Sequence, residues 1–282
     1  MFTGIITELG TVTALEHQPE RDSARLTIHA PASVTDLPLG GSIAVNGTCL
    51  TATAIATDAA TVPDSTGTTA PAGSVVVEVI GESLRRTSLG DLAAGGRVNL
   101  ERCMPASGRF DGHIVQGHVD GTGTIAKIEV HGSWRLIRVA LPAGLGRYVA
   151  EKGSIAVDGV SLTVTAVNTP GAGGSAPGGH GGSDGGSDGG IDAGDDWFEI
   201  GVIPATLAQT TLGARTVGDR VNLEVDVVAK YAARLTDYDR AADATGSQSG
   251  NESGNESGNE SGNQSGSRPG SQPGNQSGEA AR

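Results

Sequence analysis

The chain has 282 residues and a formal net charge of −13, from 19 Lys and Arg against 32 Asp and Glu. This acidic balance argues against nucleic acid or an anionic membrane as a partner. Two cysteines are too few for a disulfide framework, the N-terminus lacks a signal-peptide pattern, and no stretch approaches the ~20 apolar residues of a membrane span. We therefore expect a reduced, cytoplasmic protein.

Glycine, with 45 residues, is concentrated in two segments, at residues 171–194 and 246–282. Both segments lack the apolar side chains that could repay the entropy of ordering, so we predict that both are disordered. The first weakly resembles calcium-binding Gly/Asp repeats, but it lacks their alternating large apolar residues, which favours a spacer. What remains, roughly 220 residues, fits two domains better than one.

In chain order, the first half contains apolar, β-branched runs that predict strands, followed by a short helix after Glu82. Asn46-Gly47 separates two of these runs, and this dipeptide is typical of a type I′ hairpin turn. About six short strands in ~100 residues favour a small closed barrel. The predicted strands are residues 5–15, 24–29, 41–45, 50–57, 74–80 and 97–102.

The second half repeats the first. GSIAVNGTCLTAT at residues 41–53 matches GSIAVDGVSLTVT at 153–165 in nine of thirteen positions, and TSLGDLAAGGRVNLE at 87–101 matches the block at 210–224 in the same order. The sequence therefore predicts one domain written twice, at residues 1–104 and 105–225, with a second short helix after Pro204. The repeats differ at two notable places: Cys49 aligns with Ser161, and Asn46 aligns with Asp158.

A helix is predicted at residues 226–242, after the second repeat. Asp226 is a suitable N-cap, and four apolar side chains follow at helical spacing. Such a stripe must cover either its own barrel or sister helices in an oligomer. The stripe consists of Val227, Val228, Tyr231 and Leu235.

Six motifs, MFTGII, NGTCLT, GRFDGHIVQGHVDGTG, VDGVSLTV, IPATLAQTTLG and VNLEVD, occur in order through both halves. On these motifs the chain resembles the riboflavin synthase family. The resemblance implies an all-β fold of two tandem six-stranded antiparallel Greek-key barrels plus a C-terminal helix that helps to form a homotrimer. It implies that each barrel binds one 6,7-dimethyl-8-ribityllumazine, and that the active site lies between barrels of neighbouring subunits.

The implied reaction transfers a four-carbon unit between two lumazines and gives riboflavin and 5-amino-6-(D-ribitylamino)uracil, without a metal or redox cofactor. Association with lumazine synthase is a further expectation. One alternative is a non-catalytic lumazine- or flavin-binding protein of the same superfamily. Another is a structural or calcium-binding repeat protein, which would need ordered Asp/Gly turns in the first Gly-rich segment.

Cys49 and Ser161 follow the two hairpin turns and could simply be small residues packed in a strand. The resemblance makes both of them pocket residues that activate a water near the ring. His113 and His118 are five residues apart, and on a strand this odd separation would place them on opposite faces, which argues against a shared zinc. The resemblance favours His118 as a general acid or base, and His113 less so.

The other expected catalytic residues rest on the resemblance. On sequence alone, Lys152 is a solvated charge and Asp226 a helix cap, while Phe2 and Thr3 lie at a terminus that usually frays.

A flat lumazine with a polyol chain needs backbone polar groups and hydroxyls around it. We predict ligand contacts from Gly4, Ile5, Ile6, Cys49, Leu50, Thr51, Glu78, Val79, Ile80, Gly81, Glu82, Ser83, Gly117, His118, Val119, Lys152, Ser161, Leu162, Thr163, Gly201, Val202, Ile203, Pro204, Ala205 and Thr206.

Overall fold

The computed structural model describes residues 1–57, 70–168 and 196–246. The described part of the first half forms β1 (Glu8–Gln18), β2 (Ser23–His29), β3 (Ser42–Val45), β4 (Thr48–Ala56), β5 (Ser74–Ile80), helix α1 (Gly81–Arg86) and β6 (Arg97–Arg102). The second half forms β7 (Gly121–His131), β8 (Trp134–Ala140), β9 (Ser154–Val157), β10 (Val160–Val167), β11 (Trp197–Val202), helix α2 (Pro204–Gln209), β12 (Arg220–Val225) and helix α3 (Val227–Gly246).

The described strands close into two antiparallel barrels of the same design. The first has the order β1-β2-β5-β4-β3-β6, and the second has the order β10-β11-β8-β7-β12-β9. Each barrel is filled by its own cluster of Val, Leu and Ile side chains. The predicted all-β fold of two tandem six-stranded barrels followed by a helix is confirmed.

Local turn chemistry explains the hairpins at the centre of each barrel. Asn46 and Gly47 have φ angles of 44° and 77°, and Asp158 and Gly159 have 48° and 78°. Positive φ at both central residues is the requirement of a type I′ turn, which sequence reasoning predicted. These two turns begin β4 and β10, the strands that carry Cys49 and Ser161.

The predicted strand at residues 5–15 is displaced in the structure. β1 starts at Glu8 and continues to Gln18, so residues 5–7 precede the strand. The reason is tertiary: Ile6 packs against the core of the second barrel instead of continuing β1. The two predicted short helices are present as α1 and α2, and α3 extends four residues beyond its predicted end.

A reciprocal buried network joins the barrels. The Asn99 Nδ2 donates to the Asp158 carbonyl at 2.9 Å, and the Asn222 Nδ2 donates to the Asn46 carbonyl at 2.8 Å. The Asp158 carboxylate also accepts from the Arg215 guanidinium at 2.7 Å. Burial raises the pKa of Asp158, and Arg215 opposes that rise. Each barrel therefore satisfies a turn carbonyl of the other, which fixes their mutual orientation.

The predicted disordered segments lie outside the described residues, apart from Gly246 at the end of α3. The calcium-binding alternative falls on the same segment at 171–194. In the described ranges, no helix is long and apolar enough to cross a membrane.

Candidate functional site

Two short segments lead into the barrels and lie against each other. We name residues 2–7 the first arm and residues 115–120 the second arm. The Phe2 N–H donates to the Val115 carbonyl at 2.7 Å, and the Val115 N–H donates back to Phe2 at 3.1 Å. Phe2 is fully buried there, with Ala44, Val115 and Ala156 around it. The N-terminus is therefore ordered by packing and does not fray.

A buried carboxylate holds each arm. Glu101 on β6 accepts hydrogen bonds from the Thr3 N–H at 2.6 Å, the Thr3 hydroxyl at 2.8 Å and the Gly4 N–H at 2.9 Å. Glu101 is only 4% exposed. Burial raises its pKa, and the donated hydrogen bonds work in the opposite direction. The sequence showed Glu101 only as part of a repeated VNLE block and gave no sign of this role.

Glu224 on β12 is the counterpart of Glu101 and is 3% exposed. It accepts from the N–H groups of Gln116, Gly117 and His118 at 2.7, 2.9 and 3.0 Å. Burial likewise raises the pKa of Glu224, against the effect of these bonds and of the nearby Lys230. Three donors on one carboxylate fix the backbone of the second arm beside His118.

Each arm then crosses to the hairpin of the opposite barrel. The Cys49 N–H donates to the Gly117 carbonyl at 2.9 Å, and the Ser161 N–H donates to the Gly4 carbonyl at 2.8 Å. Both glycines have positive φ, and a Cβ on Gly117 would lie 2.6 Å from the Cβ of Cys49. Only glycine permits so close an approach. We name the hairpin that carries Cys49 or Ser161 the reactive hairpin of its barrel, after the chemistry expected of those side chains. The reactive hairpin of each barrel is therefore covered by the other half of the chain.

A cavity of about 410 Å³ opens where the second arm meets the first barrel, a size suited to a small organic ligand. Six of the predicted residues line it: Cys49, Glu82, Ser83, Gly117, His118 and Val119. Sequence reasoning missed four more, which are Thr48, Arg86, Thr87 and Asp120. Closeness in sequence could have identified these four residues, because each lies within four positions of a predicted residue in the same segment.

The side chains of this cavity are fixed by named partners. The Arg86 Nε donates to the Glu82 carboxylate at 2.9 Å across one turn of α1. Asp120 pairs with the Lys230 ammonium at 2.8 Å and accepts from the Val225 N–H at 2.9 Å. Burial raises the pKa of the Cys49 thiol, so the neutral thiol is the form present near neutral pH.

The equivalent place in the second barrel contains a different pair. The His113 Nδ1 lies 2.7 Å from the Ser161 hydroxyl. Burial lowers the pKa of His113, although the nearby Asp226 charge raises it. The other ring nitrogen, Nε2, is buried without a hydrogen-bond partner among the described residues. A neutral imidazole beside a hydroxyl can accept that hydroxyl's proton.

The two histidines, His113 and His118, do not lie on a strand, contrary to the expectation from sequence. Their spacing in sequence therefore does not determine the direction of their side chains. The structure places His118 at the first cavity and His113 at Ser161. No group of His, Cys, Asp or Glu in the described ranges is arranged to hold a metal ion.

Lys152 has an unusual backbone conformation, and Asp226 caps a helix. Lys152 has a φ of 64°, which side chains other than glycine rarely adopt, and its side chain is 71% exposed. Gly40 occupies the aligned position in the first half, with a φ of 78°. Asp226 caps α3, since its Oδ1 accepts from the Val228 N–H at 2.9 Å. Lys152 does not line the cavity that contains Cys49.

The side chains of the remaining predicted ligand segments divide between the barrel cores and the surface. Leu50, Val79 and Val202 point into the barrel cores. Ile80 and Ile203, at the aligned starts of α1 and α2, are 63% and 59% exposed. Thr51 and Thr163 are also exposed, so both halves present hydroxyls close to their reactive hairpins.

Comparisons with known proteins agree with the repeat. Residues 3–103 and 116–226 each match the lumazine binding domain family. The chain is 45% identical over 235 residues to the riboflavin synthase of Mycobacterium bovis, covering 83% of this chain and 98% of the relative. It is 40% identical to that of Actinobacillus pleuropneumoniae, over 82% and 87%, and 36% identical to that of Bacillus subtilis, over 83% and 89%.

Solved structures of LumP share the fold. LumP in complex with 6,7-dimethyl-8-(1'-D-ribityl) lumazine matches with a TM-score of 0.59 and 20% identity, over 80% of this chain and 99% of LumP. LumP in complex with riboflavin matches with a TM-score of 0.60 and 21% identity, over 80% and 100%. At this identity the similarity shows the architecture alone.

Proposed function

Because the chain belongs to the riboflavin synthase family, we propose that it converts two molecules of 6,7-dimethyl-8-ribityllumazine into riboflavin and 5-amino-6-(D-ribitylamino)uracil. A four-carbon unit leaves one lumazine and joins the other. The atoms of two substrate molecules equal those of the two products, so the reaction needs no external oxidant or reductant. The observation that carries the proposal is the pair of related barrels, each with a reactive hairpin covered by an arm from the other half.

The two hairpins suit a reaction in which identical molecules play different parts. The new ring of riboflavin requires carbon–carbon bonds at methyl carbons of the acceptor, so protons must leave those methyl groups. We propose that the neutral His113 and the Ser161 hydroxyl move protons at the second barrel. Cys49 and His118 act on the lumazine held in the first cavity, with His118 as general acid or base.

The proposed active site is completed in a homotrimer. Helix α3 supports this, since Val228, Tyr231 and Leu235 are 64–67% exposed and require cover. Lys152 supports it as well. A residue with a long side chain is strained in a left-handed backbone conformation, and such strain indicates that the side chain has a function. We propose that the Lys152 ammonium reaches a lumazine on a neighbouring subunit. The proposed setting is the cytoplasm, and co-sedimentation with lumazine synthase would test an association with that enzyme.

One experiment tests the reaction. The purified chain is incubated with the ribityllumazine alone, in the presence of a metal chelator, and both products are quantified. Riboflavin should form at half the amount of lumazine consumed, together with an equal amount of the uracil. Tight lumazine binding without riboflavin would instead favour a lumazine-binding protein, the alternative suggested by the LumP structures.

A further inference from the structure

Glu101 and Glu224 are buried carboxylates with no direct part in the proposed chemistry. Each lies on a strand of one barrel, and each collects three hydrogen bonds from a single arm. The arms do not stay with the barrel that holds them, because each covers the reactive hairpin of the opposite barrel. Each arm therefore links the buried carboxylate of one barrel to the reactive hairpin of the other barrel.

A single glycine residue makes each link. The Gly117 N–H donates to Glu224, while the Gly117 carbonyl accepts from Cys49. The next residue is His118, whose own N–H also donates to Glu224. A shift of this carboxylate therefore moves His118 and the contact to Cys49 together.

The first arm makes the equivalent link to the second barrel. The Gly4 N–H donates to Glu101, and the Gly4 carbonyl accepts from Ser161. Thr3, which donates twice to Glu101, accepts from the His113 N–H at 3.1 Å. Glu101 is therefore connected through the first arm to both members of the Ser161–His113 pair.

We propose that Glu224 and Glu101 are positioning residues that act on the opposite barrel: Glu224 sets His118 against Cys49 of the first barrel, and Glu101 sets His113 against Ser161 of the second. The catalytic consequence rests on the proposed function, whereas the positioning itself does not. A carboxylate is required because several N–H donors converge on it, and a glutamine would turn an N–H₂ group toward some of those donors.

The strand register provides a sharp contrast for the test. Ala44 on β3 pairs with Glu101 on one side and with Cys49 on the other, so Glu101 lies two strands from Cys49 in the same sheet. If proximity within the sheet controlled the surroundings of Cys49, Glu101→Gln would disturb this thiol more than Glu224→Gln. Positioning through the second arm predicts the reverse.

The test uses the full chain carrying Cys103→Ser, so that Cys49 is the remaining thiol. The alkylation rate of Cys49 with iodoacetamide is measured at one pH for the parent, Glu224→Gln and Glu101→Gln, after thermal melts establish that each is folded. We expect Glu224→Gln to raise the rate at least fivefold, and Glu101→Gln to change it less than twofold. Equal effects, no effect, or a larger effect of Glu101→Gln would overturn the proposal.

Glu224→Asp keeps the charge on a shorter side chain and should give an alkylation rate between the parent rate and five times that rate. This variant provides the test if Glu224→Gln does not fold. A rate for Glu224→Asp equal to that of the parent would count against positioning. In riboflavin formation, Glu224→Gln should lower kcat at least tenfold with KM within threefold. If alkylation follows the prediction but no variant or parent makes riboflavin, the positioning stands and the proposed function fails. A wild-type kcat in folded Glu224→Gln would overturn the positioning role.

Discussion

The two barrels share a backbone but not the residues around their reactive hairpins. The first cavity presents Cys49, His118 and the Glu82–Arg86 pair. At the aligned positions around the second hairpin lie Ser161, Ala205 and Gln209 of the second half and Ile5 of the first arm. A different histidine, His113, approaches Ser161. The fold thus repeats what binding two copies of one molecule requires, and side chains alone distinguish them. A few substitutions on a symmetric frame therefore make the surroundings of the two hairpins chemically different.

Replacing His118 by Ile should have the largest effect, because it gives the second arm the residue that the first arm has at that position. Loss of a general acid or base lowers kcat by about 10²–10⁴-fold, while the ligand still binds. Steady-state kinetics and lumazine titration would measure both quantities. Ile5→Val in the first arm is the matched control and should stay within a few fold of wild type. Equal losses in the two variants would show that the arms act only by packing.

His113→Gln should lower kcat by about 10²-fold and change the pH profile. Burial lowers the pKa of His113 from an ordinary value of 6.5, so the neutral, proton-accepting form persists below that pH. The acid limb of kcat/KM in the wild type should therefore lie below pH 6.5, and it should disappear in the variant. The same shift lowers the free energy of unfolding as the pH falls below 6.5. The reason is that His113 then binds a proton in the unfolded chain but not in the folded chain. A limb unchanged in His113→Gln would exclude His113 as its source.

Cys49→Ser makes the two reactive hairpins chemically alike and should lower kcat by about tenfold, or roughly 1.4 kcal/mol in activation free energy. A thiol is larger and more acidic than a hydroxyl, so the difference should appear in the reaction more than in binding. The exchange variant Cys49→Ser/Ser161→Cys tests whether the roles can be reversed. Full activity of Cys49→Ser would mean that the thiol has no part in telling the barrels apart.

Lys152→Gly gives the second barrel the residue that Gly40 provides in the first, and its effect on stability should be the smallest. A left-handed conformation costs a residue with a side chain about 1 kcal/mol, which offsets the roughly 0.5–1 kcal/mol entropic cost of glycine. The free energy of unfolding should therefore remain unchanged within about 1 kcal/mol, while activity falls. Glu151→Gly, next to it, lacks this compensation and should lose stability. Equal losses in denaturant melts of the two variants would contradict the strain at Lys152.

Sequence reasoning succeeded where local rules decide the outcome. The repeated Asn46-Gly47 and Asp158-Gly159 turns predicted the hairpins, and apolar, β-branched runs predicted the positions of most strands. The crossing of the arms escaped it, because residues 5–7 look like the start of β1 and only packing against the other barrel removes them from it. His113 donates its N–H to Thr3 of the first arm and lies at Ser161, an arrangement that spacing along an assumed strand could not reveal.

The hydrogen bond from Asn222 to the Asn46 carbonyl spans 176 positions of the chain. At ribosomal speeds of 5–20 residues per second, roughly 10–35 s separate the synthesis of these partners. All strands of the first barrel have emerged by then, so this barrel can close early, but its turn waits for a late partner. β12 is the last of the described strands, and it carries both Asn222 and Glu224, which hold the Asn46 turn and the second arm. Translation thus delivers the first barrel well before it delivers the groups that fix the second arm against it.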